Sequence, residues 1–170
     1  MSSQLRVDKI LPVDGAPTGG GGGIIQIVHS TATSEVSQSG NVTSFADVGL
    51  SASITPKFST SKILVTGYIS FYAHNSGGNG SAEWNFAVCD SSNNILDSTD
   101  ANTEGYRFNE LYAQGGKHTI NFLHSPSTTS AFTYKMRMNA RNSNNSLILY
   151  CQKGGKANNI SRLTLMEVSA

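Results

Sequence analysis

The sequence predicts an all-β protein, a sandwich or a barrel of short strands, and three observations lead to this class. Ser, Thr, Asn and Gly make up roughly two-fifths of the 170 residues, a composition that suits strands joined by polar turns and is unfavourable for helices. About ten short apolar segments alternate with clusters of turn-forming residues, as in sandwiches and barrels. No stretch shows sustained helical periodicity. The length suits one domain with a buried core.

The N-terminal part of the chain differs in character from the rest. Residues 1–18 contain prolines and a small apolar pattern at Leu5, Val7, Ile10 and Leu11. This pattern is too small to form a core, but it is sufficient for a short extended segment that docks on a partner. Five glycines follow it and give a tether of free conformation. The sequence therefore predicts a docking segment at 1–18, a glycine tether at 19–23 and a β-sandwich domain at 24–170.

Three segments show the two-residue periodicity of strands most clearly. They are 62–73, 83–89 and 131–140, and apolar side chains recur in them at alternate positions. The predicted inward-facing side chains are Ile63, Val65, Ile69, Phe71, Trp84, Phe86, Val88, Phe132, Tyr134, Met136 and Met138. Both faces of 63–72 and 147–150 carry some apolar side chains, so we expect a neighbouring subunit to cover the outer face there.

The other strands are placed by the turn clusters that separate them. These clusters include HNSGGNGS, DSSNN, QGGK and KGGKANN, which are rich in residues that favour turns. The Gly-Gly-Lys triplets at 115–117 and 154–156 are predicted to be hairpin turns. In chain order the predicted strands are 24–29, 45–54, 62–73, 83–89, 95–98, 106–112, 118–124, 131–140, 146–152 and 160–168.

No motif in the sequence indicates catalysis, a metal or a cofactor. The glycine tract is followed by two isoleucines, whereas a phosphate loop needs a Lys-Ser/Thr pair and a helix there. The four histidines lack metal-binding spacing, and the acids of LDSTDANTEG lack the calcium-loop pattern. The Gly-x-Ser-x-Gly elbow of hydrolases is absent from the sequence. We therefore expect a non-enzymatic protein with no cofactor.

The net charge and the lack of targeting segments narrow the range of binding partners and cellular locations. The formal net charge of +1 gives no reason to expect nucleic acid or an anionic membrane as a partner. The N-terminus lacks the apolar core of a signal peptide, and no run is long enough to span a membrane. We expect synthesis in a host cytoplasm.

Cys89 and Cys151 each end an apolar run, which favours two reduced, buried thiols over a disulfide.

Aromatic residues are the remaining candidates for binding, because they stack on sugar rings and anchor interfaces. We expect most of them to lie in the core or at a subunit interface. Tyr106 and Tyr112 border the Asn- and Gly-rich segment 100–117. They are therefore the predicted exposed pair that contacts a receptor. These candidates are the six tyrosines and the one tryptophan, Tyr68, Tyr72, Trp84, Tyr106, Tyr112, Tyr134 and Tyr150.

The stretch LRVDKILPVDGAPTGGGGGIIQIV, followed by TSFADVGLSASITPKFSTSKILVTGYISF, resembles a pattern in virion structural proteins of tailed phages. These proteins lie at or near tail fibres and appendages, most often in phages of aquatic bacteria. Residues 5–15 match the opening Leu-x-Val-Asp-x-Ile-x-Pro-x-x-Gly, and the glycine tract and the SKILV strand follow. A Ser-Pro-Ser-Thr-Thr turn before AFTYK and a C-terminal LTLMEV strand complete the likeness. The likeness covers nearly the whole chain.

This resemblance implies a jelly-roll-like antiparallel β-sandwich, similar to the C1q/TNF type, that assembles as a homotrimer in the virion. It implies that Leu5, Val7, Ile10 and Leu11 dock on other virion proteins. For an appendage body that contacts a host surface glycan, Tyr106 and Tyr112 are the predicted contact residues. The repeats and coiled-coil heptads of long fibres are absent from the sequence. Three functions stay open: a tail-fibre or appendage subunit, a capsid or tail decoration (cement) protein, and a free carbohydrate-binding or hydrolytic module.

Overall fold

All regular elements but one are β-strands in the computed structural model, which describes residues 23–75, 80–98, 105–108, 112–142, 146–155 and 159–169. The predicted all-β class is confirmed. No helix in the described part is long and apolar enough to cross a membrane. A short 3-10 helix lies at Lys153–Gly155. The strands are β1 Ile24–Ala32, β2 Val36–Ser39, β3 Ala46–Ile54, β4 Lys62–Asn75, β5 Gly80–Cys89, β6 Ile95–Ser98, β7 Gly105–Phe108, β8 Tyr112–His124, β9 Phe132–Asn142, β10 Leu147–Cys151 and β11 Ser161–Val168.

The first sheet, sheet A, is organised around β4. One edge of β4 pairs with β8 over almost its whole length. The other edge pairs first with β11, from Lys62 to Tyr68, and then with β10, from Phe71 to Asn75. Beyond them, β1 pairs with β11 and β2 pairs with β10. Thus β1–β2 and β10–β11 each occupy one strand position, and sheet A has four positions.

The second sheet, sheet B, has the order β3-β9-β5, with β6 and β7 sharing the free edge of β5. When each interrupted strand is counted once, the described part of the chain has eight strand positions. Their orders in the two sheets are 1-8-3-6 and 2-7-4-5. This is the order of a jelly roll, in which two Greek keys place successive strands in opposite sheets. The predicted jelly-roll-like sandwich is confirmed.

The core lies between the sheets and is made by the inward-facing residues of the alternating strands. All eleven side chains that were predicted to face inward are in this core or packed against it. The Phe71 ring, for example, lies 5.8 Å from the Trp84 ring and 5.5 Å from the Phe86 ring. Burial of each such side chain contributes about 1.5–3 kcal/mol. The largest fully buried side chains are Trp84, Tyr134, Phe86, Leu50, Ile54, Ile63, Ile69, Met136, Met138, Leu147, Leu149 and Leu163.

A buried carboxylate holds one end of the sandwich together. Glu167 of β11 is fully buried. It accepts hydrogen bonds from Gln26 Nε2 at 3.0 Å and from the backbone nitrogen of Lys57 at 2.6 Å. Gln26 Nε2 also donates to the carbonyl of Thr55 at 3.0 Å. These bonds fix the loop between β3 and β4 to sheet A, and they compensate for the cost of burying the carboxylate.

The predicted strand at 106–112 is wrong as a single element. Residues 105–108 form β7, which pairs with β5 in sheet B. Tyr112 instead begins β8, which pairs with β4 in sheet A. The chain therefore changes sheets inside the segment that sequence periodicity treats as continuous.

The predicted turn at QGGK is also wrong, because Gly115 and Gly116 lie inside β8. They stand opposite Tyr72 and Phe71 of β4. A Cβ on Gly116 would lie 3.3 Å from the Phe71 ring, and a Cβ on Gly115 would lie 3.4 Å from the Tyr72 ring. These glycines therefore leave space for two aromatic side chains on the neighbouring strand and do not turn the chain.

The second Gly-Gly-Lys triplet, at 154–156, does not form the predicted hairpin. The strands before and after it, β10 and β11, follow one another along β4 and do not pair with each other. The triplet begins in the 3-10 helix, where Gly154 has φ +75°, and residue 156 lies outside the described residues. Gln152 N donates to Ser70 O at 3.1 Å, and Ser70 N donates to Ser161 Oγ at 2.9 Å. β10 and β11 thus occupy one strand position, and the described residues at the two ends of their connection both bond to Ser70 of β4.

Both cysteines are free and buried, which confirms the prediction of two buried thiols. Cys151 faces the interior of the sandwich, where its Sγ lies 3.3 Å from Met138 Sδ. Cys89 lies on the outer side of sheet B, opposite Lys135. Sheet B therefore separates the two side chains. Burial raises the pKa of Cys151 to about 12 and also raises the pKa of Cys89.

Candidate functional site

The outer face of sheet A carries two surfaces that are suited to binding. The first is a row of four apolar side chains, one on each strand position, which we call the apolar row. In register across the sheet they are Ile27, Met166, Leu64 and Leu123. Opposed side chains in such ladders have Cβ atoms about 5 Å apart, so the row is continuous from edge to edge. Ile27 is 61% exposed and Leu123 is 52% exposed.

Polar residues border the apolar row towards the middle of the sheet. The next row across the strands contains His29, Thr164, Thr66 and Asn121. His29 Nδ1 and Thr164 Oγ1 lie within hydrogen-bonding distance, at 3.0 Å. On the opposite side of the apolar row, Ile24 is 52% exposed and stands opposite Val168. An apolar patch with a polar margin is typical of a protein–protein contact.

The second surface, at the other end of the same face, is a cleft of about 320 Å³ that we call the tyrosine–lysine cleft. It lies between β4, β8 and the loop that follows β10. The Tyr72 ring is 6.2 Å from the Tyr150 ring on the adjacent strand. On its other side Tyr72 faces Gly115, which has no side chain to fill the space. The lining residues are Ser70, Phe71, Tyr72, Gly115, Gly116, Lys117, Lys153 and Asn159.

Two ammonium groups stand over the tyrosine rings of this region. Lys153 Nζ is 3.9 Å from the centroid of the Tyr72 ring and 4.1 Å from that of Tyr150. Lys117 Nζ is 4.5 Å from the centroid of the Tyr68 ring. Such cation–π contacts contribute about 0.5–1 kcal/mol at exposed sites. They keep the positive charges at the cleft without a carboxylate partner among its described lining residues.

Hydrogen bonds hold the Lys153 loop in place. Asn159 Nδ2 donates to the carbonyl of Lys153 at 2.6 Å. Glu35 touches the same loop, but its carboxylate accepts a hydrogen bond from the backbone nitrogen of Gly154. Glu35 is not among the residues that line the cleft. The loop therefore presents the Lys153 ammonium to the cleft while the nearby acidic group is bound to backbone.

A second cleft, of about 290 Å³, lies between the sheets at the edge formed by β8 and β6. The His118 ring stacks on the Phe86 ring at 4.9 Å. Asp97 is the single carboxylate among the described lining residues. Glycoside hydrolysis ordinarily needs two carboxyl groups that flank the bond to be cleaved. In the described ranges, no group of three His, Cys, Asp or Glu side chains could hold a metal ion.

His124 and Tyr134 form the pair of titratable groups whose shifts require an explanation. His124 Nδ1 lies 2.8 Å from the Tyr134 hydroxyl, and the two rings meet edge to face at 5.7 Å. Burial lowers the pKa of His124 and raises the pKa of Tyr134. Phe132 packs 5.2 Å from His124. Neither member of the pair lines either of the two clefts described above, and these shifts reflect aromatic packing at the edge of the core.

The sequence-predicted site residues have different outcomes. Leu5, Val7, Ile10 and Leu11 lie outside the described residues. The backbones of Tyr106 and Tyr112 lie in different sheets, since Tyr106 pairs with Ala82 in sheet B and Tyr112 pairs with Asn75 in sheet A. Their side chains are outside the described part, so the proposed receptor contact stays a prediction.

The tyrosine–lysine cleft was not predicted as a site from the sequence. The sequence places Tyr72 and Tyr150 only among the aromatics of the core or an interface. Two features of the sequence indicate Tyr72 and Tyr150 as site residues. Both point outward from strands whose alternate residues are buried, and glycine segments that contain a lysine lie elsewhere in the chain at 115–117 and 154–156. Lys117 and Lys153 carry no signal of their own, because a lysine beside two glycines is also typical of a solvated turn.

The chain has similar proteins among the solved structures, at low sequence identity. No protein-family model and no curated protein matches the sequence. The structure is similar to that of infectious bursal disease virus Gx strain, with 14% identity and a TM-score of 0.40 over 85% of this chain and 37% of that chain. It is also similar to T=1 particles derived from infectious bursal virus, with 12% identity and a TM-score of 0.40 over 98% and 41%. The chain thus spans less than half of those solved chains.

Proposed function

We propose that this chain is a non-enzymatic structural subunit of a virion, of the tail-fibre or appendage kind, that self-assembles through the apolar row. The row is the single observation that carries the self-assembly. Full burial of an Ile or Leu side chain contributes about 1.5–3 kcal/mol, and more than half of Ile27 and of Leu123 is still exposed. Covering these two side chains therefore contributes about 0.8–1.8 kcal/mol each before ordering costs.

A second copy of the same chain is the occupant that we assign to the row. The row spans all four strand positions of the sheet face, and none of its four residues is charged. A lone exposed leucine is ordinary on a protein surface, but an aligned set with a polar margin is not. Closed symmetry allows identical patches to cover one another. A homotrimer is the assembly that the sequence resemblance favours.

The location in a virion is supported by the order of the parts in the chain. An apolar segment with Leu5, Val7, Ile10 and Leu11 comes first, the glycine tract follows, and a jelly-roll body completes the module. In this proposal the first segment docks on other virion proteins and the body projects from them. Its partners are thus its own copies, other virion proteins and a host surface glycan. Nucleic acid and membrane lipid are not among them.

The absence of catalysis in this proposal is supported by the lining of the two clefts. The tyrosine–lysine cleft has no described carboxylate, and the cleft between the sheets has one. Aromatic rings and ammonium groups can hold a ligand, but two suitably placed acids are what hydrolysis of a sugar bond ordinarily requires. Surface contact with a host glycan is therefore assigned to the body as binding only.

Size-exclusion chromatography with light scattering tests the assembly. We expect the mass of three 18.0 kDa chains at micromolar concentration. Ile27→Asp and Leu123→Asp should each lower this mass to that of one chain, because a charge in the row is not compensated on burial. Ile95→Asp is the matched control, since Ile95 is 53% exposed but lies in sheet B. A single-chain mass for the parent protein, or equal dissociation by the control, contradicts the proposal.

A truncated chain that starts at Ile24 tests the docking segment. It should fold with a nearly unchanged Tm and assemble as before, yet fail to join the particle. A cryo-EM map of the intact particle would then place the body. The second candidate, a capsid or tail cement protein, is favoured by the same apolar row. A monomer in solution that loses particle binding through Leu123→Asp would establish that candidate instead.

A further inference from the structure

We infer that the tyrosine–lysine cleft binds a carboxylated sugar, that is, a hexuronic or sialic acid residue of a glycan. This inference rests on the glycan contact in the proposed function and adds the site and the class of ligand. The two parts of such a ligand match two parts of the cleft. The C–H face of a sugar ring packs on aromatic side chains, and its carboxylate pairs with ammonium groups.

The aromatic part of the match is the Tyr72 ring and the space beside it. Tyr72 stands between Tyr150 on one neighbouring strand and Gly115 on the other. A side chain on Gly115 would contact the Tyr72 ring, since even its Cβ would lie 3.4 Å away. Glycine at this position therefore keeps the space beside the ring open. The cleft of about 320 Å³ is at the small end of ligand sites, which suits one or two sugar residues.

The charge of the cleft is what selects an acidic sugar over a neutral one. Lys153 and Lys117 both line the cleft, and no acidic side chain does so among the described residues. The ion pairs in the described part both involve Asp47, which lies on the other sheet. A neutral sugar would leave both ammonium groups without an anion, whereas a carboxylate would pair with them.

The number of cations argues against nucleic acid as the ligand. Binding to a phosphate backbone uses an extended series of basic side chains, and the described lining of the cleft offers two. The formal net charge of the chain is only +1. With two ammonium groups among its described lining residues, this cleft suits a single carboxylate near a tyrosine better than a polyanion.

The cleft stays accessible when the apolar row is covered. Leu64 of the row and Tyr72 of the cleft lie on the same strand, eight residues apart. At about 3.3 Å per residue this places them roughly 26 Å from one another. The polar row of His29, Thr66, Thr164 and Asn121 lies between. A subunit contact at one end of the face and a glycan at the other end are thus compatible.

Isothermal titration and ¹H–¹⁵N NMR with two matched pairs of probes test the inference on the full chain. The first pair is trigalacturonate and its methyl ester, and the second is sialyllactose and lactose. We expect at least one acidic probe to bind at least fivefold more tightly than its neutral partner. We also expect the amide signals of Tyr72, Lys117 and Lys153 to shift. The preference should weaken as salt is added.

Substitutions separate charge from stacking. Lys153→Gln and Lys117→Gln should each weaken binding of the acidic probe about two- to fivefold and leave the neutral probe unchanged. Tyr72→Ala should weaken both. Lys62→Gln is the matched control, because Lys62 lies on the same face of β4 at the far end. Circular dichroism and Tm confirm that each variant is folded.

Three results would overturn the inference: no binding of either acidic probe at millimolar concentration, equal binding of acidic and neutral probes, or equal loss with Lys62→Gln. None of them bears on assembly. A trimer that binds no acidic sugar removes this inference and leaves the proposed structural role. A monomer that binds an acidic sugar removes the proposed self-assembly and leaves this inference.

Discussion

Replacement of Gly67 by alanine tests how closely β4 and β11 approach each other. Gly67 lies in the middle of β4, opposite Leu163 of β11. A Cβ at this position would lie 2.1 Å from the carbonyl oxygen of Arg162 and 3.1 Å from the Cα of Leu163. Both contacts are with backbone, so no change of side-chain rotamer can relieve them. The strands themselves have to separate.

The cost follows from the displacement that is needed. Moving the Arg162 oxygen from 2.1 Å to 3.0 Å, the shortest separation that real Cβ atoms tolerate, requires a shift of about 0.9 Å. Overfilling a packed site typically costs 1–3 kcal/mol. Stretching two ladder hydrogen bonds adds about 1–2 kcal/mol. We therefore expect Gly67→Ala to lower the free energy of unfolding by about 2–5 kcal/mol, which corresponds to a Tm roughly 5–15 °C lower.

The assay is urea unfolding followed by tryptophan fluorescence, because Trp84 is fully buried in the core. Gly116→Ala is the matched control in sheet A. Its Cβ would lie 3.3 Å from the Phe71 ring, a contact that a small side-chain movement can relieve. We expect this control to cost less than half as much. Equal stability of Gly67→Ala and the parent protein would refute the close approach of β4 and β11.

Two further predictions follow from buried titratable groups. Because burial lowers the pKa of His124, the unfolded chain takes up a proton at a higher pH than the folded chain does. The free energy of unfolding should therefore fall as pH decreases below about 6.5. Between pH 7.5 and 5.5, His124→Gln should lose less of its free energy of unfolding than the parent protein does. An equal decrease in the two proteins contradicts this prediction. Since burial raises the pKa of Cys151 to about 12 and that of Cys89 as well, neither thiol should react with Ellman's reagent at pH 8 until guanidinium unfolds the chain. Rapid labelling of the native protein would show that a thiol is accessible.

The amino-acid sequence by itself determined the class of the fold and the faces of its clearest strands. Period-two alternation in 62–73, 83–89 and 131–140 is a local property, since successive side chains of a strand point to opposite sides. Every inward residue predicted from it is in or against the core. The buried cysteines follow from the same local reasoning. The jelly-roll order was implied by resemblance, not by periodicity.

Only the tertiary structure decided the structural role of Gly115 and Gly116 and which residues form the apolar row and the tyrosine–lysine cleft. QGGK has the composition of a turn, and only pairing with β4 shows that Gly115 and Gly116 make room for Tyr72 and Phe71. The apolar row joins residues 27, 64, 123 and 166, and the cleft brings Lys153 to Tyr72. Such contacts depend on strand order and register, which are set by long-range pairing. Local sequence determines which side chains of a strand point to the same face. The choice of neighbouring strands is made only when the two sheets pack over a common core.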